Sequence, residues 1–241
     1  LEISWVTSLE TLSGIEDLLV LKELIVHECS ELTTIAVPGA SNVLQQMTVS
    51  RCSALTAILG MEALAELVEL SVTECGSLTM LSLQGMAHLK TADLHKCSAL
   101  TTIRGTETLT ELTKLLLFDC GSLTMLSLQG MAHLKTADLH KCSALTTIHG
   151  TETLTELTEL LLFDCVSLTA LSLKGLGHLN MATLERCTAL EELHVPEKLE
   201  ELKTLDLTDC NALHVMDLTN CVALDRLAMG GCQRVTQEQL E

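Results

Sequence analysis

The chain has no tyrosine, and only one tryptophan and two phenylalanines in 241 residues. A globular core normally takes much of its buried area from aromatic rings. Their shortage points to a core built from leucine, and built repetitively. Two prolines and 13 glycines are too few for a collagen or a proline-rich linker. Basic residues are also scarce: 14 Lys+Arg against 32 Asp+Glu leave a net charge of −18. Nucleic acids and anionic membranes are held through Lys and Arg, so neither is expected as a partner. No apolar run approaches the roughly 18–20 residues that span a bilayer. There is no initiator Met, no signal-peptide pattern and no Asn-x-Ser/Thr sequon, since Asn42, Asn180, Asn211 and Asn220 all fail it. What remains, 47% apolar and 19% charged, is the composition of a soluble folded protein.

The cysteines show how that protein is organised. Ten of the 11 stand at 29, 52, 75, 97, 120, 142, 165, 187, 210 and 232, always 22 or 23 residues apart. Each closes the phrase L-x-x-L-x-L-x-x-C, as in the segments ending at Cys75 and Cys210. Cys221 alone is off phase. A second period lies over the first. Residues 75–119 and 120–164 differ at only two of 45 positions, Arg104/His149 and Lys114/Glu159, which reads as duplication of a two-repeat unit. Even Leu1-Glu2-Ile3-Ser4-Trp5 reads as part of a repeat, and the tail from Thr236 shows no closing element. A solenoid covers its end faces with capping repeats, so residues 1–241 are expected to be one solenoid of about ten repeats cut from a longer chain.

The phrase resembles the leucine-rich repeat family over nearly the whole chain. That resemblance implies a right-handed α/β solenoid, with one short parallel strand per repeat on the concave face. The roughly 13 residues left in each repeat are too few for a long helix and two turns. The convex side is therefore expected to carry 3₁₀ turns or short extended segments, with little true helix. Most such repeats have Asn where this chain has Cys. Cys also occurs there in F-box-type proteins and plant intracellular immune receptors. The 22–23-residue spacing and the alternation of Ile103-Arg-Gly105 with Leu81-Ser-Leu-Gln-Gly85 look more like the receptors' recognition domain. Other intracellular scaffolds, including those of protists, remain open.

Catalytic and metal chemistry find little footing. The absence of C-x-x-C removes the strong zinc pattern. Ladder cysteines on successive rungs about 4.8 Å apart point the same way, a poor geometry for disulfides. Buried reduced thiols are expected, with Cys221 the exception, and a reducing, cytoplasmic compartment. His88, His133 and His178 recur at 45-residue spacing in the returning half and read as surface residues. No Ser/His/Asp set, phosphate-cradling glycine loop or paired-carboxylate motif appears, so neither an enzyme nor a cofactor is expected.

Strand alternation lets the outer face be read in columns. The middle column runs Ile25, Thr48, Ser71, Asp93, Leu116, Asp138, Leu161, Thr183, Asp206, Ala228. The next runs His27, Ser50, Thr73, His95, Phe118, His140, Phe163, Glu185, Thr208, Gly230. Both phenylalanines thus face outward as exposed rings among polar rungs, with Leu116 and Leu161 beside them and His95 and His140 around them. Exposed aromatics in a polar field are the usual look of a binding hot spot. The expected partner is another protein or a neighbouring domain, offering an apolar anchor with a basic rim. Duplication alone could also have produced the pair. The residue before each ladder Cys alternates in sign without exception: Glu28, Arg51, Glu74, Lys96, Asp119, Lys141, Asp164, Arg186, Asp209. A line of carboxylate–cation neighbours is expected there, opposing a one-rung slip. The function read from all this is protein recognition by the concave face, in the sensor part of an intracellular immune receptor or in an intracellular scaffold or adaptor.

Overall fold

The computed structural model describes residues 1–15, 17–37 and 43–235. The closing element looked for at residues 236–241 lies outside them. Each 22–23-residue repeat can bury its leucines only against the next repeat, and the chain accordingly coils rung upon rung. Eleven strands form one continuous parallel sheet in strict sequence order. They are Glu2–Ser4, Glu23–His27, Gln46–Ser50, Glu69–Thr73, Thr91–Asp93, Lys114–Leu116, Thr136–Asp138, Glu159–Leu161, Met181–Thr183, Thr204–Asp206 and Arg226–Ala228. The first of these adds a rung before Cys29, where Glu2 pairs with Ile25.

The returning half carries four short parallel sheets of two or three strands. Three 3₁₀ turns, Met61–Ala63, Thr106–Thr108 and Thr151–Thr153, are the only helical elements among the described residues. The parallel-strand solenoid and the 3₁₀ or extended return are as the sequence led one to expect. No helix of the described residues is long and apolar enough to cross a membrane.

The core between the two faces is a set of stacked columns. Leu115 and Leu117, like Leu160 and Leu162, are at most 1% exposed, and nine ladder cysteines from Cys29 to Cys210 are fully buried. All 11 cysteines are free. From Cys97 onward each ladder thiol donates to a main-chain carbonyl of the preceding rung: Cys97 to Val72, Cys142 to Leu117 and Cys187 to Leu162, each at 3.2 Å. The thiol thus makes a weak, regular rung-to-rung bond where an amide stands in most leucine-rich repeats. The expected exception moves. Cys221 is 8% exposed and belongs to the core, whereas Cys232, in the last described rung, is the partly exposed one. Cys221 packs inward because its own half-turn repeats the inward phase 11 residues after Cys210.

Two glycines mark where rungs approach most closely. Gly105 and Gly150 precede 3₁₀ turns with φ of 77° and 82°. A Cβ on Gly105 would lie 2.3 Å from the Gln84 nitrogen, and one on Gly150 2.5 Å from the Gln129 nitrogen. The positive φ and the clash with backbone act together. Gly105→Ala should therefore destabilise by about 2–4 kcal/mol in urea denaturation. Gly177→Ala, with nothing within 4 Å of its added Cβ, should change stability by less than about 0.5 kcal/mol.

Burial also sets a pH dependence. It pushes the thiol of Cys52 up to about 11, and those of Cys142 and Cys187 up to about 12. An unfolded thiol ionises near 8.5, so above that pH the unfolded chain loses protons that the folded chain keeps. The stability these three thiols contribute should be complete below about pH 8.5 and then fall by about 1.4 kcal/mol per such thiol for each further pH unit, until the folded thiol itself ionises. Urea melts at pH 7.5, 9 and 10 measure it; a flat profile contradicts the buried ladder.

Candidate functional site

The register places the middle column and the strand part of the next one as expected, although Thr73 of the outer column is buried. Asp93, Leu116, Asp138 and Leu161 are direct neighbours across the long sheet. The next column continues past the strands through backbone bonds. Lys96 N–H donates to the Phe118 carbonyl, Asp119 to that of His140 and Lys141 to that of Phe163, at 2.8, 3.0 and 2.8 Å. The backbone under each ring is therefore fixed by an amide of the preceding rung.

On that frame His95, Phe118, His140 and Phe163 form one continuous stack of rings. Successive centroids lie 4.5, 4.7 and 4.2 Å apart, and the interplanar angles are 7°, 4° and 11°. The rung spacing produces the stack directly, because rings in one column of a parallel sheet sit one strand separation apart. Each such pair adds about 0.5–1.5 kcal/mol beyond its buried area. The imidazoles are pinned from the side. His95 Nδ1 lies 2.6 Å from Asp93 Oδ1, and His140 Nδ1 lies 2.5 Å from Asp138 Oδ1. A carboxylate only accepts, so Nδ1 carries the hydrogen in both.

One expectation needs correction. The rings face outward but are half-buried, and neither phenylalanine is among the exposed large apolar side chains. Each ring covers its neighbour's face. Phe118 and His140 have both faces occupied, so the stack presents ring edges to solvent, flanked by half-buried Leu116 and Leu161. Beside Leu161, Thr183 Oγ1 is the one buried side-chain polar atom without a partner among the described residues.

The charged column lies alongside, with a feature its residue types announce only in part. Every member from Glu28 to Asp209 has φ between 54° and 61°, the left-handed region. Glycine, Asn and Asp normally occupy such positions, and only the last described rung uses glycine, Gly231. The column closes as ion pairs in two stretches, from Glu28 to Lys96 and between Asp164 and Arg186. Arg51 reaches Glu28 at 2.8 Å and Glu74 at 3.4 Å, and Lys96 reaches Glu74 at 3.7 Å. Arg186 grips Asp164 through two bonds of 2.6 and 2.7 Å and holds its carboxyl below the usual carboxylate range. Next to the ring stack the line is open: among the described residues, no ion pair within 4 Å includes Asp119 or Lys141.

Elsewhere the chemistry is sparse. His88, His133 and His178 are exposed, each bonded to a glutamate of the next rung at 2.7–2.9 Å. Among the described residues no group of three His, Cys, Asp or Glu is placed to hold a metal. A cleft of about 380 Å³ that the sequence did not announce opens on the return side, between residues 193–196 and 214–217. There the short ladder ends at Leu193–Met216 and Pro196, with no N–H, follows.

The BspA type leucine rich repeat region matches residues 22–137 and 129–236, in six copies. Among solved structures, the leucine-rich repeat domain of the type III effector XopL is similar at 20% identity and a TM-score of 0.47, over 94% of this chain and 75% of that one. A leucine-rich cell surface protein of Faecalibacterium prausnitzii is 13% identical, with a TM-score of 0.31 over 91% and 78% of the two chains. A leucine-rich repeat protein of Leptospira interrogans is 15% identical, with a TM-score of 0.31 over 100% and 91%. No curated protein matches the chain.

Proposed function

The chain belongs to the BspA type leucine-rich repeat family, and from that premise we propose that it recognises another protein through the face of its long sheet. The observation that carries the reading is the four-ring stack, standing on the face of the long sheet. Leu116, Phe118, Leu161 and Phe163, with His95 and His140, form its centre. Half-buried ring edges between two leucines offer a pre-ordered surface, so little side-chain entropy remains to be lost on binding. The fitting partner brings an apolar group for those edges, with Lys or Arg around it to meet Asp119, Asp164 and a net charge of −18. The 11 unpaired cysteines favour a reducing, cytoplasmic compartment. The finer role, that of sensor in an intracellular immune receptor, has the Cys-closed phrase alone for support; a scaffold or adaptor would use the same surface.

Phe118→Ala together with Phe163→Ala should abolish capture of the wild-type partners in a pull-down. The cost in stability should be moderate, about 1–2 kcal/mol per ring, because the rings are only half-buried. A melting curve on the same protein separates the two effects. Unchanged capture by a folded variant refutes the hot spot.

A further inference from the structure

We infer that the partner fitting this surface is a second copy of the chain, docked about a two-fold axis that runs parallel to the strands between the rung of Phe118 and the rung of His140. This rests on the reading of the long-sheet face as a protein-recognition surface and names its occupant.

The argument is one of symmetry and charge. Such an axis keeps the strand direction, reverses the order of rungs and sets each column against itself. A column that alternates in sign is then self-complementary. Asp119 faces Lys141 of the second copy and Lys141 faces its Asp119. Moving outward, Lys96 meets Asp164, Glu74 meets Arg186 and Arg51 meets Asp209, all of opposite sign. The ring column alternates too, so Phe118 meets His140 of the second copy and His95 meets Phe163. The second copy thus supplies ring edges as the apolar anchor and Lys96 and Lys141 as the basic rim, while in the middle column Leu116 meets Asp138 and Asp93 meets Leu161 of the second copy.

Two observations set the axis at these rungs and not at others. The only phenylalanines of the chain lie here. The intramolecular ion pairs also stop here: among the described residues Asp119 and Lys141 have none within 4 Å, whereas Glu28 to Lys96 on one side and Asp164 with Arg186 on the other are paired, and only the terminal Asp209 is open as well. An alternation that served only to lock rungs within one chain would have closed at its centre as well. The net charge of −18 on each copy opposes association. It acts through solvent over a Debye length of about 8 Å, whereas the column makes direct contacts of opposite sign.

The test is a mixing experiment read by light scattering after gel filtration. The wild-type chain at about 50 µM should run with the mass of two chains. Asp119→Lys and Lys141→Asp each set like charges across the axis, and each should weaken dimerisation at least tenfold and run as a monomer. Folding is not at risk, since Lys and Asp already occupy this left-handed position on neighbouring rungs. Mixed together, the two variants should give a heterodimer, because both facing pairs across the axis then join a lysine of one variant to an aspartate of the other. The double variant should dimerise alone. Charge repulsion inside one chain cannot be relieved by mixing. Monomeric wild-type protein, single variants that stay dimeric, or a mixture that stays monomeric would each overturn the inference. Monomeric wild type leaves recognition of a different protein standing, which the phenylalanine variants test separately.

Discussion

Each described rung of this protein is held by backbone hydrogen bonds to the next, one 22- or 23-residue repeat along the chain, and that register decides everything else. Leu117 N–H meets the Asp138 carbonyl at 2.8 Å and Asp119 N–H meets that of His140 at 3.0 Å, and the pattern recurs along the sheet. Side chains alternate across a strand, so a slip of one residue would turn the leucines out and the charged and aromatic columns in. The buried ladder resists it: the inward Leu and Cys side chains, with Ala92, Ala137 and Ala182 among them, are buried in the interior. The thiols suit that interior because they fill space and satisfy a carbonyl without bringing an amide that would need two or more partners.

The surface follows from the same register. A repeat that places like positions one strand separation apart turns a sequence of single residues into lines. Where a line alternates His and Phe it becomes a ring stack; where it alternates acid and base it becomes a charge ladder. Neither needs a pocket or a loop, and both are rigid because the backbone beneath them is the sheet itself. That is why the binding reading attaches to the long sheet rather than to the cleft at residues 193–217, where the return ladder parts.

The columns could be read from the sequence because period and strand alternation are both strict. Cys spacing gave the rungs, and the leucine phrase gave inside from outside. Three features stayed hidden. The ring stack needed the step from column to separation, although His95, Phe118, His140 and Phe163 already stood in order. The left-handed conformation of Glu28 through Asp209 carried only a partial signal, because Asp119, Asp164 and Asp209 suit it whereas Glu, Arg and Lys hold the other six places. The burial of Cys221 was missed because its spacing broke the count, while half a coil later the same inward phase returns.

Backbone amide exchange tests the register most directly. Lys96, Asp119, Lys141 and Asp164 have side chains at the surface, yet each amide donates to the next rung at 2.8–3.0 Å. The account predicts that these four amides exchange as slowly as those of the buried leucines, since the rungs would have to part before any of them could open. Rapid exchange at the four, with protection confined to the leucine amides, would mean that the coil does not close beneath the ring stack, and would contradict the account.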